Sequence, residues 1–197
     1  MAAETPEPQS VKIVVAGGFG TGKTTLVGSV SEIQPLKTEE ILTEASLGVD
    51  DLKGVEAKRS TTVTLDFGRI TINPRTPMSP TIVLYLFGTP GQERFWFMWD
   101  ELSRGAVGAV VLVDTRRLHI SFSAVDYFEQ RQIPFIVAVN RFEGDQTAYP
   151  VEQIREALTL GPAVPIVMCD ARDRASSLAA LIELVRHALA TASVATG

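Results

Sequence analysis

Gly17-Gly18-Phe19-Gly20-Thr21-Gly22-Lys23-Thr24 decides how this chain must fold. The stretch fits G-x-x-x-x-G-K-S/T. It follows the apolar run Val11 to Ala16 and precedes a segment able to form a helix, Thr25 to Glu32. Strand, glycine-rich loop and helix in that order make a phosphate-binding loop. The glycines let successive backbone N–H groups turn inward around an oxyanion, and the helix N-terminus adds partial positive charge. Lys23 supplies a mobile cation for β- and γ-phosphates, and Thr24 offers a hydroxyl to Mg²⁺. Gly17, Gly18, Phe19, Gly20, Thr21, Gly22, Lys23, Thr24 and Thr25 are therefore the first candidate nucleotide-binding residues.

The chain around this loop is 197 residues long, 45% hydrophobic and 21% charged, which suits one folded domain with a sizeable core. A net charge of −5, with no basic stripe interleaved with aromatics, argues against nucleic acid as the main partner. Ala106 to Val113 is the longest clean apolar run and is too short to span a bilayer. The first ten residues lack the pattern of a secretory signal, Ala2 excludes N-myristoylation, and the ending Val-Ala-Thr-Gly excludes prenylation. Cys169 is the single cysteine and lies in an apolar run, as a buried inert thiol does. The expectation is a cytoplasmic protein with no direct membrane anchor, reaching a membrane only by recruitment through a partner or by a modification the sequence does not show.

Strands are expected at Val11–Ala16, Thr61–Ile72, Thr81–Phe87, Ala106–Val113, Ile133–Val139 and Val164–Met168. Helices are expected at Thr24–Ile33, Glu93–Arg104, Ile120–Gln130, Val151–Leu160 and Ala175–Thr191, the last with an apolar stripe of Leu178, Leu181, Ile182, Val185 and Leu189. Residues 34–60 give no clear periodicity. Residues 1–10 are expected as a flexible leader, 11–192 as the folded domain and 193–197 as a flexible tail. Six strands alternating with five helices define an α/β, single-domain P-loop NTPase: a six-stranded, mostly parallel sheet with helices on both faces. Ligands of such sheets sit at the carboxyl ends of the strands.

The strand Thr81–Phe87 runs into Gly88-Thr89-Pro90-Gly91-Gln92-Glu93-Arg94-Phe95. Here the chain resembles the small Ras-like GTPases, whose second switch reads Asp-x-x-Gly-Gln-Glu, and the likeness extends over roughly residues 11–190 in the same motif order. Residues 11–192 are then a Ras-like G domain. By this resemblance Gly91 contacts the γ-phosphate through its N–H and Gln92 orients the attacking water. The usual Mg²⁺-linked aspartate is Gly88 here, a departure shared with the Ras-like GTPases that set polarity in gliding bacteria. Leu-Phe-Gly-Thr-Pro-Gly-Gln-Glu-Arg-Phe is closer still to the GTPase-like proteins of actinobacterial conservon operons.

The resemblance extends to the other motifs. Thr61-Thr62-Val63-Thr64 resembles switch I, with Thr62 as the Mg²⁺ and γ-phosphate threonine and Thr61 as its rival. The 38 residues between Lys23 and Thr62 leave room for a mobile loop or for a strand that shifts register. Arg59 is the candidate for an arginine acting in cis on the transition state, against the alternative of a solvated charge. Asn140-Arg141-Phe142-Glu143 resembles the guanine-reading Asn-Lys-x-Asp, with Glu143 in the aspartate's place and Asp145 as its stand-in. Asp170, Ala171 and Arg172 resemble the Ser-Ala-Lys element, whose alanine N–H meets the guanine O6. Phe95, Trp96 and Phe97 form a candidate partner surface, and the resemblance implies a roadblock-type regulatory protein and a sensor-kinase-like membrane protein as partners. The expected activity is that of a GTP/GDP-binding, Mg²⁺-dependent switch with slow GTP hydrolysis, Lys23, Gln92 and Arg59 carrying catalysis. A non-catalytic, nucleotide-locked scaffold and a P-loop ATPase are the alternatives.

Overall fold

The computed structural model describes residues 6–43, 60–74, 76, 79–91, 95, 97–144 and 149–195. In chain order the elements are β1 (Gln9–Ala16), α1 (Lys23–Val30), β2 (Leu36–Thr43), β3 (Ser60–Ile72), β4 (Ile82–Gly88) and α2 (Phe97–Ser103). There follow β5 (Gly108–Val113), a 3-10 segment (Thr115–Ser121), α3 (Phe122–Gln130), β6 (Phe135–Asn140), α4 (Val151–Ala157), β7 (Ile166–Cys169) and α5 (Arg174–Ala195). The strands form one sheet in the order β2-β3-β4-β1-β5-β6-β7. Only the pairings β2–β3 and β3–β4 are antiparallel. The rest, from β4 to β7, is parallel.

The apolar runs explain the centre of this sheet. Strands buried on both faces need apolar residues at every position, and β5 and β6 are buried at all six. Side chains alternate between faces. Ile13, Val15, Val110, Leu112, Ile136 and Ala138 pack with Leu26, Val27 and Val30 of α1 and Leu181 and Leu184 of α5. Val14, Ala16, Val111, Val137 and Val139 pack on the other face with Trp99 of α2, Val125 and Phe128 of α3 and Ile154 of α4. The α/β class and the parallel sheet with helices on both faces are as the sequence implies, and all six expected strands are present.

The seventh strand, β2, comes from the stretch without periodicity. It pairs with β3 from Leu36↔Phe67 to Thr43↔Ser60, whereas β4 pairs with β3 only from Asp66 onward. Residues 60–65 of β3 therefore project with β2 beyond the carboxyl end of β4. Polar composition hides such a strand, because an edge strand needs no buried face.

The boundaries shift at both ends. β1 starts at Gln9, which pairs with Ile82, so the last two residues of the expected leader belong to the sheet. α5 runs to Ala195, into the expected tail. Its inward stripe also differs from the expected one. Ser177, Ala180, Leu181 and Leu184 are buried, while Ile182 and Leu189 are exposed, because consecutive helical positions diverge by about 100°. No helix among the described residues is long and apolar enough to cross a membrane.

Candidate nucleotide-binding site

The loop after β1 takes the shape its glycines allow. Gly17, Gly20 and Gly22 all have positive φ, at 133°, 78° and 105°. A Cβ at Gly17 would strike the Leu112 carbonyl oxygen, so the loop turns directly against β5. Thr21 is fully buried, and its hydroxyl donates to Gly18 O at 3.0 Å, closing the turn from within. Lys23 folds back over the loop and donates to Gly17 O at 2.9 Å and Gly18 O at 2.7 Å. Thr24 and Thr25 are exposed at the start of α1, and Phe19 is 67% exposed.

Gly91 arrives at the same place from β4. A Cβ there would lie 2.8 Å from both Lys23 Nζ and the Phe19 backbone N. Only a glycine sits this close to the loop. The structure thus brings together two elements that are 68 positions apart and that the sequence assigns to one phosphate.

Lys23 is 8% exposed. Burial pulls its pKa down to about 8, against the opposing pull of the Asp66 charge. The unfolded chain holds this proton up to the ordinary value of 10.5, so the free protein gains stability as pH rises from about 8 toward 10.5. A phosphate ligand requires the charged ammonium. Affinity for nucleotide is therefore expected to be flat below pH 8 and to fall about tenfold per pH unit above it. Titrations in a buffer series check this, and an affinity that does not weaken at alkaline pH contradicts it.

Asp66 of β3 is the residue that sequence reasoning missed. It pairs in register with Gly88, where the familiar aspartate is absent. A Cβ on Gly88 would sit 3.2 Å from Asp66 Oδ2, so the missing side chain leaves the room that Asp66 fills. Thr24 Oγ1 donates to Asp66 Oδ2 at 2.6 Å. Asp66 is 5% exposed, and its Oδ1 is buried with no hydrogen-bond partner among the described residues. A buried carboxylate oxygen without a partner, beside a threonine hydroxyl and a lysine, suits a hydrated Mg²⁺ on bound phosphates. The available signal was an acid in the middle of a strand, directly opposite the lost one. Thr62, the expected metal threonine, lies four residues further along β3, about 13 Å away in an extended strand, on the projecting ribbon paired with Ile41. The Thr62 side chain lies outside the described part of the structure.

At the other end of the loop, Asn140 terminates β6 and is 5% exposed. Its Nδ2 donates to Thr21 O at 2.9 Å, and its Oδ1 accepts from Ala171 N at 3.0 Å. One side chain thus clasps the phosphate loop to the loop after β7. The Ala171 N–H, expected to face a base oxygen, is engaged with Asn140 instead. Arg141 N donates to Cys169 O at 2.8 Å, which holds the ends of β6 and β7 together. Asp170 is paired with Arg172 through contacts of 2.9 and 2.8 Å, and these hydrogen bonds, the side-chain ones foremost, hold its pKa at about 2. The Glu143 carboxylate is 94% exposed, 3.8 Å from Arg172.

Other expected residues are placed differently. Phe95 is 5% exposed and belongs to the interior, which corrects its assignment to the partner surface. Trp99 is buried too, donating to Pro90 O at 3.1 Å, so the start of α2 is pinned to the segment carrying Gly91. Phe97 remains 63% exposed. Arg59, Gln92, Trp96 and Asp145 lie outside the described residues.

A glycine-rich loop at the carboxyl end of a parallel sheet, with a lysine folded over it and a buried acid beside the adjacent threonine, defines a P-loop nucleotide-binding protein. Residues 15–191 match the model of a family described as conserved hypothetical ATP-binding proteins, and the chain belongs to that family. It is also similar to an uncharacterized protein of the archaeon Methanocaldococcus jannaschii, 29% identical over 133 residues that cover 66% of this chain and 70% of the relative.

Proposed function

We propose that this chain is a guanine-nucleotide switch, which binds GTP or GDP with Mg²⁺ and hydrolyses GTP slowly. The observation that carries this reading is the seat of Gly91 on Lys23 and Phe19. Gly91 stands against the Lys23 ammonium, where a terminal phosphate would meet it, so a shift of the 88–91 segment would report whether that phosphate is there. Lys23 neutralises charge on the β- and γ-phosphates. Thr24 and Asp66 hold Mg²⁺, with Thr62 joining them if the β2–β3 ribbon slides. When bound, the ion neutralises charge on the phosphate oxygens. Gln92 orients a water whose oxygen attacks the γ-phosphorus as the bond to the β-phosphate oxygen breaks, and Arg59 offsets the developing charge.

Guanine is favoured by the carboxylate of Glu143. Guanine offers it two donors, N1–H and the exocyclic amine, whereas adenine presents an acceptor at N1. Asn140 keeps one Nδ2 hydrogen for a purine ring nitrogen. The run Leu-Phe-Gly-Thr-Pro-Gly-Gln-Glu-Arg-Phe resembles that of the conservon GTPase-like proteins. On that basis the exposed Phe97, with Trp96, meets a roadblock-type regulator, and a sensor-kinase-like membrane protein recruits the complex.

A second reading, ATP binding, is favoured by the family description. Competition of GTP, GDP and ATP against labelled GDP separates the two. GTP is expected to displace the label at concentrations at least tenfold below ATP, and equal or better displacement by ATP overturns the guanine reading. Phosphate release from bound GTP in a single turnover then tests hydrolysis. None over many hours, with or without a partner, leaves the nucleotide-locked scaffold.

A further inference from the structure

Three contacts divide the phosphate loop along its length. Gly91 covers Phe19 and the Lys23 ammonium, the side of the terminal phosphate. Asn140 holds the Thr21 carbonyl, the side of the base. Between them lies Gly20, and the group beside it is Arg117, from the 3-10 segment after β5. Arg117 Nη2 lies 3.2 Å from the position a Gly20 Cβ would take.

Arg117 is built into this position. Its backbone leaves helical geometry, with φ −144° and ψ 49°, inside the segment. Three residues on, Ile120 fixes the segment to the loop, for a Cβ on Gly18 would lie 2.7 Å from the Ile120 carbonyl oxygen. Asp114, fully buried, is the acid Arg117 pairs with, yet that carboxylate's oxygens serve the neighbouring arginine. Arg116 donates Nε at 2.9 Å, Nη2 at 2.8 Å and its backbone N at 3.0 Å. Arg116 is also stacked on Phe142, 4.0 Å from the ring centre. Arg117 reaches the same carboxylate only at 3.4 Å, and its side chain is 46% exposed. Arg116 thus takes Asp114 at the shorter distances, and the permanently charged Arg117 guanidinium, held to it only at 3.4 Å, stands beside the loop's midpoint.

We propose that Arg117 grips the α- and β-phosphates of the bound nucleotide, across the loop from Lys23. This rests on the loop being a nucleoside-phosphate site and adds a residue that the motifs do not contain. Because Arg117 lies away from the Gly91 side, it strengthens diphosphate and triphosphate binding equally and takes no part in hydrolysis.

The test compares wild type, Arg117→Ala and Arg117→Lys in titrations with labelled GDP, labelled ADP and the non-hydrolysable triphosphate analogues of both. Arg117→Ala is expected to raise Kd about tenfold for di- and triphosphate alike. Its salt dependence should become shallower, with the melting temperature of the free protein unchanged. Arg117→Lys should recover most of the loss. Wild-type affinity in Arg117→Ala overturns the proposal, as does a loss confined to triphosphates, which would place Arg117 at the terminal phosphate. A wild-type protein that binds none of the four ligands removes the nucleotide reading and this one with it, whereas tight wild-type binding with an indifferent Arg117→Ala removes this one alone.

Discussion

Asp66→Asn is expected to abolish the effect of Mg²⁺ on nucleotide binding while leaving the free protein at least as stable as before. Wild type should bind GDP about a hundredfold more tightly with Mg²⁺ than with chelator, and the variant within about threefold either way. The Asn amide oxygen can still accept from the Thr24 hydroxyl, now 2.6 Å from Asp66 Oδ2, so the local bond survives. What disappears is a charge buried to 5% exposure whose second oxygen has no partner among the described residues. A group of that kind costs folding free energy and persists where function uses it. A second consequence follows through Lys23, whose pKa Asp66 raises against desolvation. Without the carboxylate it falls further below its ordinary value, so binding weakens from a lower pH than in wild type. Titrations with and without Mg²⁺, alongside thermal melts, check both effects. Retention of the full Mg²⁺ effect in Asp66→Asn would show that another group holds the ion.

The parts of this architecture that depend on local chemistry were legible from the sequence, and those that depend on register were not. The run from Gly17 to Thr24 carries its own glycines, lysine and threonine, so the loop, its strand and its helix follow from adjacent residues. Asn140 could be found because it opens a run resembling Asn-Lys-x-Asp at the end of an apolar strand. Asp66 is different. Its role depends on facing Gly88 across an antiparallel pair, and nothing near Asp66 in the chain announces that partner. Arg117 was invisible for a related reason, because its meaning comes from Gly20, which approaches from another strand. Phe95 misled in the opposite direction. An aromatic beside a switch segment looks like a surface anchor, yet at 5% exposure it is interior. The polar β2 escaped because hydrophobic periodicity detects buried faces, and an edge strand need not have one.

Asn140→Ala is expected to be the most damaging single substitution at the site. Removal of the amide leaves the Thr21 carbonyl and the Ala171 N–H without their partner, in residues that are 0% and 1% exposed. Each of the two orphaned groups costs about 1–3 kcal/mol, so ~2–6 kcal/mol of stability is lost, equivalent to a fall of roughly 4–24 °C in Tm at this chain length. Binding suffers twice over. The donor proposed for a purine ring nitrogen is gone, and the phosphate loop is no longer tied to the loop after β7, so its amides are less well ordered before the ligand arrives. A loss of at least about a hundredfold in affinity is expected for guanine and adenine nucleotides together. Asn140→Asp separates the two contributions. Its carboxylate still accepts from Ala171 N, but it has no hydrogen to offer Thr21 O and sets an anion against that carbonyl. It should therefore keep part of the stability while losing as much affinity as alanine. Thermal melts and nucleotide titrations on both variants decide the matter. An Asn140→Ala protein that melts with wild type and binds within threefold of it would mean that the two loops hold their places without the clasp, and that the base is read by other groups.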